Sequence, residues 1–177
     1  MERYENWLAN SMKELSPLKQ LLQTLPQEGR VEWIGVRPER NVPINELAEV
    51  RVSIENGLDG DRFSGGAGSK RQVTLIQAEH LSAIASLLHR PEVHPSLLRR
   101  NIVVSGINLL ALKDKTFQVG STHLRYTGLC HPCSKMEKNL GPGGYNAVRG
   151  HGGITATVVG EGIVRVGDTL TFRSTQK

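Results

Sequence analysis

Several features that would indicate particular classes of protein are absent or scarce in this sequence. No apolar run approaches the roughly 18 to 20 residues that cross a bilayer, so we expect no membrane span. The residues after Met1 include acids and lead into no apolar stretch, which does not match a secretory signal. Aromatic residues make up only 5% of the chain, which argues against a surface that stacks nucleic acid bases. We therefore expect a cytoplasmic protein whose partner is neither a membrane nor a nucleic acid.

Cysteine is also scarce, because only Cys130 and Cys133 occur among the 177 residues. Two cysteines exclude a disulfide scaffold, and in the cytoplasm both are expected to be thiols. A chain of this length buries a core without disulfides or a structural metal. The formal net charge of +5 comes from scattered basic residues, and it suits an anionic small molecule or cofactor as the ligand.

The beginning of the chain has a helical pattern. Apolar residues recur at spacings of mostly three and four through residues 2–25, which predicts two short helices. Pro17, preceded by Ser16, suits the first turn of the second helix. We expect residues 1–28 to form a helical extension and residues 29–177 to form one further domain.

From Val31 the pattern changes to short runs rich in β-branched residues, separated by glycine turns. Seven such runs predict strands: VEWIGV, EVRVSI, QVTLI, NIVVSG, THLRYT, ITATVV and GDTLTF. Only residues 78–88 and the turn or two after Pro132 have a helical pattern. Many strands at short spacing with few helices predict a mainly β fold of the α+β type. We expect a closed β-barrel of about seven strands with peripheral helices.

A glycine-rich segment, residues 57–76, has the character of a structured loop. It does not match a phosphate-binding P-loop, because Ser69 stands before Lys70 where that motif requires glycine. The segment nevertheless carries Arg62, Lys70 and Arg71. These cations would suit a phosphate or another anion if they point the same way, and a solvated charged rim would have the same sequence.

A second basic group directly precedes a predicted core strand. Arg99, Arg100 and Asn101 stand before IVVS, and polar groups at a strand end commonly face the mouth of a barrel. They would then clamp an anion. The alternative is a polar end to a core strand, which is equally ordinary.

The two cysteines flank a histidine and a proline in CHPC, and this spacing leaves several functions open. A zinc site needs about four ligands, and the chain has no second cysteine pair. A dithiol redox centre has this spacing, but such centres open a βαβ unit, whereas here most of the chain precedes the motif. Packing of Cys130 and Cys133 without chemistry is a third reading. Finally, His131, Lys135 and Lys138 would favour Cys133 as a reactive thiolate.

Five stretches, taken in their order, resemble the MOSC domain. They are GLDGDRF, QVTLIQAEHL, RRNIVVSGINLLAL, FQVGSTHLRYTG followed by HPC, and GIVRVGD, and the resemblance runs from about Val31 to Phe172. This module forms the C-terminal domain of molybdenum cofactor sulfurases and also occurs in stand-alone bacterial proteins, which this chain resembles. The resemblance implies a barrel-like fold and a reactive cysteine that carries sulfur or contacts the molybdenum cofactor, a molybdopterin.

The resemblance also implies site residues. Cys133 matches the Pro-Cys position of the family and is implied as the catalytic thiol. Four residues fall in segments where relatives contact the pterin phosphate and are implied as cofactor-binding: Arg62, Arg71, Arg99 and Asn101. In amidoxime-reducing relatives the metal-ligating cysteine lies farther along, where this chain has AVRGH at residues 147–151. The absence of a cysteine there argues against direct molybdenum ligation, so the metal ligand is left unknown, with Cys133 as one candidate. No lysine site for pyridoxal phosphate is identifiable, so sulfur would come from a donor protein.

Three functions follow as hypotheses. The first is a carrier or binding module in which Cys133 carries sulfur or binds the molybdenum cofactor. The second is a molybdenum-dependent reductase of N-hydroxylated bases or amines, with a partner protein supplying electrons. The third is a dithiol oxidoreductase that uses Cys130 and Cys133 together.

Overall fold

The computed structural model describes residues 16–173, and the chain divides into two compact units. The first unit comprises residues 1–26 and 173–177, and the second comprises residues 27–172. In the first unit, helix α1 (Pro17–Gln23) begins after Ser16, whose hydroxyl accepts a hydrogen bond from Lys19 N at 3.4 Å. This is the second helix predicted for residues 2–25; the first lies outside the described residues.

The second unit consists mainly of strands. Their bounds are β1 (Gly29–Val36), β2 (Asn45–Glu46), β3 (Glu49–Ser53), β4 (Gly57–Leu58), β5 (Val73–Gln77), β6 (Ile102–Ser105), β7 (Thr116–Val119), β8 (Thr122–Leu129), β9 (Ile154–Gly160), β10 (Gly162–Arg165) and β11 (Thr169–Thr171). The helices are α2 (Ala78–Leu87), α3 (Pro95–Leu98), α4 (Ser134–Leu140) and α5 (Gly144–Val148), with a 3-10 helix at Leu109–Leu112. None of the helices within residues 16–173 has the length and apolar character that a bilayer span requires.

Seven strands close into a barrel in the order β1-β11-β7-β8-β9-β5-β6 and back to β1. Closure depends on β1, which pairs antiparallel with both β6 and β11. The β5–β6 pair is parallel, and it therefore needs the long connection that contains α2 and α3. Strand β2 extends from β1, and β10, β3 and β4 form a separate three-stranded sheet. The prediction of a mainly β fold with a closed barrel of about seven strands is confirmed.

All seven runs predicted as strands are strands, and the helices predicted near residues 78–88 and after Pro132 are α2 and α4. Strands β2, β4, β7 and β10 were not predicted. The first two have only two residues each, and the other two are short segments whose extended form comes from pairing with β8 and β3. A local sequence pattern does not contain those partners.

Helix α4 is held in place by its apolar residues. Met136 and Leu140 are four residues apart, each only 1% exposed, and they pack in one cluster with Ile84, Leu98 and Val148. Full burial of such side chains stabilises the fold by about 1.5 to 3 kcal/mol each. The segment that contains both cysteines precedes this helix, so the packing of α4 fixes where that segment lies.

Candidate functional site

The residues predicted as site residues from sequence line one cleft, which we call the cysteine cleft. It has a volume of about 460 Å³, a size typical of ligand sites. The lining residues come from segments far apart in the chain: Arg37, 61–65, 71–74, 99–101 and 130–136. All five predicted residues are among them: Arg62, Arg71, Arg99, Asn101 and Cys133. The fold therefore brings these residues together; their roles stay predictions.

The two cysteines are free thiols in very different surroundings. Cys133 is exposed and immediately precedes α4, where its carbonyl oxygen accepts a hydrogen bond from Met136 N at 2.8 Å. Cys130 is only 2% exposed, and its Sγ lies 3.7 Å from Nη2 of Arg71. A molecule in solvent therefore reaches the Cys133 thiol much more easily than the Cys130 thiol.

Arg100 holds the cysteine segment against the barrel. Its guanidinium donates hydrogen bonds to three backbone carbonyl oxygens: Nε to Gly152 at 2.7 Å, Nη1 to Leu98 at 2.8 Å and Nη2 to Cys130 at 3.1 Å. Burial lowers the pKa of Arg100 below its ordinary value, and the nearby Cys130 opposes this shift. Because all these contacts are internal, Arg100 positions the cleft wall.

Asp61 and Asn101 form a network at the floor of the cleft. Asp61 Oδ2 accepts hydrogen bonds from Arg37 N and from Asn101 Nδ2, each at 3.0 Å. Asn101 Oδ1 accepts from Thr74 N and from the Thr74 hydroxyl at 3.1 and 2.7 Å, and Nδ2 also donates to Gly35 O. Asn101 is 3% exposed, and both the oxygen and the nitrogen of its side-chain amide are hydrogen-bonded. The residue therefore joins β1, β5 and β6 beneath the cleft.

Positive charge dominates the rim of the cleft. Arg37 Nε is buried without a hydrogen-bond partner among residues 16–173, and it lies 3.9 Å from Asp61 Oδ2. Burial is the main cause that lowers the pKa of Arg37; Asp61 opposes the shift, and Arg99 and Arg62 add to it. Within the same described residues, the side chains of Arg62 and Arg99 make no hydrogen bond or ion pair. These guanidiniums are available to an anion.

Lys135 adds to this charge from the first turn of α4. Its ammonium donates a hydrogen bond to Asn41 Oδ1 at 3.0 Å. The positive charge of Arg99 is the main cause that lowers the pKa of Lys135. Repulsion between neighbouring cations of this kind is relieved when an anion binds between them.

The loop that carries Arg62 and Arg71 is anchored at both ends. Asp61 Oδ1 accepts a hydrogen bond from Phe63 N at 3.1 Å, and the Gln72 amide donates to Ile54 O and Gly66 O at 2.5 and 3.2 Å. Gln72 Oε1 in turn accepts from Thr157 Oγ1 at 2.7 Å. The arginines therefore project from a fixed loop.

Sequence reasoning did not assign Arg37 or Asp61 to the site, and it named Lys135 only as a charge that would favour the Cys133 thiolate. Arg37 follows β1 without a motif, and its contact with Asp61, 24 positions later in the chain, exists only in the folded structure. Asp61 had a local signal, since it lies in the GLDGDRF turn. Among residues 16–173, no three His, Cys, Asp or Glu side chains are grouped to hold a metal ion.

The fold is similar to several solved structures. The YuaD protein from Bacillus subtilis gives a TM-score of 0.70 at 20% sequence identity, over 83% of this chain and 97% of that one. YiiM from Geobacillus stearothermophilus gives 0.65 at 16% identity, over 82% and 75% of the two chains. YiiM from Escherichia coli gives 0.63 at 18%, over 84% and 71%. At these identities the similarity shows the fold alone.

Comparison with curated proteins gives no match for this sequence. A family model of the MOSC domain matches residues 60–171. The matched part includes both cysteines, Arg62, Arg71, Arg99 and Asn101, and it ends with β11. Because the matched residues are more than half of the chain, this protein belongs to the MOSC domain family.

Proposed function

We propose that the cysteine cleft holds an anionic ligand beside the Cys133 thiol, and that this ligand is the molybdenum cofactor. The observation that carries the proposal is the grouping of one exposed thiol with free guanidiniums from separate loops. The MOSC family is associated with this cofactor. It carries a phosphate, and guanidinium groups bind phosphate through paired hydrogen bonds.

The residues present fit such a ligand. Within residues 16–173 the guanidiniums of Arg62 and Arg99 are unengaged, and Arg71 lines the same cleft with its Nη2 3.7 Å from Cys130 Sγ. They would bind the phosphate, while Cys133 would offer its sulfur to the metal. When bound, the cofactor would supply two-electron redox chemistry at its metal. The protein's own residues would orient the ligand and hold the thiol in place, and Arg100 would keep the Cys130 to Cys133 segment against the barrel.

The same exposed thiol supports sulfur carriage as a second function. The Cys133 thiolate would attack the outer sulfur of a donor persulfide, R–S–SH. The sulfur-sulfur bond of the donor breaks, a Cys133 persulfide forms, and the donor leaves as its thiolate. The donor would be a separate protein, and its persulfide supplies the transferred sulfur.

We infer a structural role for Cys130. Its side chain is buried beneath Arg71, whereas Cys133 is exposed. A dithiol mechanism requires an incoming thiol or disulfide to react with one cysteine and the other cysteine to resolve the product. Cys130 is suited to packing by its burial, so we place the chemistry on Cys133 alone.

Native purification followed by intact mass spectrometry and metal analysis tests the proposal. Bound molybdenum with pterin supports the cofactor site, and an adduct of about 32 Da, one sulfur atom, on Cys133 supports sulfur carriage. Cys133→Ser should abolish either signal, and Cys130→Ser should retain it. Protein that carries neither ligand when isolated from cells with an intact molybdenum cofactor supply would contradict both functions. Equal loss in the two variants would point instead to a dithiol centre.

If the purified protein contains molybdenum, one further measurement follows. The loaded protein would then be assayed, with a chemical or protein electron donor, for reduction of an N-hydroxylated base or amine. Turnover that disappears in Cys133→Ser would make the protein a reductase. Tight cofactor binding without turnover would make it a binding module.

A further inference from the structure

A second cleft, also about 460 Å³, lies beside the cysteine cleft. We call it the side cleft. Arg37, Arg99 and Lys135 line both clefts, so a shared rim of three cations stands between them. The far part of the side cleft is formed by the loop after β1 and by the segment around α3.

The shared rim is available to an anion. Arg99 has a left-handed backbone with φ 59°, which is uncommon for a residue with a side chain. It lies at the C-cap of α3, directly before the buried Arg100, and its guanidinium is unengaged within residues 16–173. Of the two consecutive arginines, Arg99 lines both clefts, whereas the Arg100 guanidinium is bonded to backbone carbonyls inside the protein. Arg37 contributes a buried Nε without a hydrogen-bond partner in that same part of the chain, 3.9 Å from Asp61 Oδ2, and Lys135 contributes an ammonium whose one hydrogen bond there goes to Asn41.

The rest of the side cleft has one apolar wall of four residues, and its other lining residues are polar or charged: Glu39, Asn41, Glu46, Ser96, Lys138 and Asn139. Val42, Pro43, Ile44 and Leu97 form the apolar wall, and Val42 is 38% exposed. Glu39 lines the side cleft as well, and the Glu39 carboxylate makes no hydrogen bond or ion pair within residues 16–173. A carboxylate is an acceptor only, so it suits ligand N–H donors.

These surfaces match the parts of one class of ligand. It carries an anion for the shared rim, a largely apolar body for the wall around Val42, and N–H donors for Glu39. A nucleoside phosphate has such parts, namely phosphate, sugar with a flat base, and the amino and ring N–H groups of the base. A simple phosphate or a sugar phosphate would leave the apolar wall and Glu39 without contacts.

We propose that the side cleft binds a nucleoside 5′-phosphate, with the phosphate on Arg37, Arg99 and Lys135 and the base between the Val42 wall and Glu39. This site goes beyond the chemistry proposed for Cys133 and needs no ligand on that thiol. An anion bound at the shared rim would also make the electrostatic potential in the cysteine cleft less positive, because the same three cations line both clefts.

Calorimetric titration of the full chain with guanosine 5′-monophosphate, ribose 5-phosphate and inorganic phosphate tests the site. The nucleotide should bind at least about tenfold more tightly than the two smaller probes, because only it contacts the apolar wall and Glu39. Equal affinity for the three probes, or no binding of the nucleotide at millimolar concentration, would overturn the proposal.

Variants locate the binding. Val42→Asp should reduce nucleotide affinity to that of ribose 5-phosphate, and Glu39→Gln should lower it while leaving phosphate affinity unchanged. Val166→Asp is the matched control, since Val166 is 45% exposed and lines neither cleft. Unchanged nucleotide binding in both Val42→Asp and Glu39→Gln would overturn the proposal. Val42→Asp should also retain any molybdenum or persulfide, so failure of this site and failure of the Cys133 chemistry are distinguishable.

Discussion

The carbonyl oxygen of Cys130 accepts a hydrogen bond from Nη2 of Arg100 at 3.1 Å. This bond joins the start of β6 to the segment that presents the cysteines, across 30 positions of sequence. The same guanidinium binds the carbonyl of Gly152, so three separate parts of the chain meet at one buried cation. The position of Cys133 thus depends on a buried residue whose guanidinium bonds to the backbone of the protein itself.

Removing the Arg100 guanidinium should destabilise the whole protein. Arg100→Met leaves three carbonyl oxygens without their charged donor, and we expect the free energy of unfolding to fall by about 3 kcal/mol. Urea denaturation followed by circular dichroism measures this change. Arg125→Met is the matched control, because Arg125 is exposed on β8. A loss no larger than that of the control would show that Arg100 does not hold the segment.

Gly152 should not tolerate a side chain. A Cβ there would overlap the Cys130 carbonyl oxygen and would lie 3.1 Å from Arg100 Nη2. We expect Gly152→Ala to lower stability by about 1 to 3 kcal/mol, because the backbone of one segment has to move. Gly128→Ala is the control, since its Cβ would meet only Thr155 Oγ1 at 3.5 Å. Thermal unfolding of both variants gives the comparison, and equal melting temperatures would refute the close approach.

The two thiols should differ strongly in reactivity with an alkylating reagent. Cys133 is exposed and Cys130 is 2% exposed, so iodoacetamide should modify Cys133 at least about a hundredfold faster in the folded protein. Peptide mass spectrometry over a time course measures the two rates. Unfolding in urea should bring the rates together. Similar alkylation rates in the folded state would show that solvent reaches Cys130, and they would favour the dithiol mechanism.

Anion binding should depend on the unengaged guanidiniums of the cysteine cleft. Arg62→Gln removes one of them, and we expect affinity for inorganic phosphate to fall roughly fivefold, with weaker dependence on salt. The control is Arg51→Gln, because Arg51 is exposed on β3 and lines neither cleft. Titration calorimetry at two salt concentrations measures both effects. Identical phosphate affinities in Arg62→Gln and Arg51→Gln would show that Arg62 does not bind the anion.

Glu137 should make the fold sensitive to acid. Its two carboxylate oxygens accept hydrogen bonds from Gly143 N and Tyr145 N, each at 2.8 Å, and these bonds lower the pKa of Glu137 below its ordinary value of 4.5. Because the folded pKa is the lower one, the stabilisation is fully present above pH 4.5 and is lost as pH falls through the folded pKa.

The test compares melting temperatures of wild type and Glu137→Gln between pH 7 and pH 3. The variant should melt at a lower temperature at pH 7, and the difference should shrink below the ordinary pKa of a glutamate. Glu92→Gln is the control on an exposed residue. A difference that stays constant across the whole pH range would show that the carboxylate charge contributes nothing.

Local sequence pattern predicted much of the architecture. β-Branched runs between glycine turns located seven strands, apolar spacing located α2, and Pro132 indicated the start of α4. These signals are local, since each depends on residues within one or two turns of chain. The residue types of the site were also readable, because one cysteine with a proline before it and arginines in loops are visible in the sequence itself.

Tertiary structure decided how those residues are used. Sequence placed Arg99 and Arg100 together, yet Arg99 has no partner among the residues that the structure describes, whereas Arg100 is buried against three carbonyls. The two cysteines are three positions apart, yet one is exposed and the other is buried. Arg37 joined the site only through its contact with Asp61, which is 24 positions away in the sequence. Burial and charge partners come from segments distant in sequence, and therefore only the folded chain determines which cation binds a ligand and which thiol meets solvent.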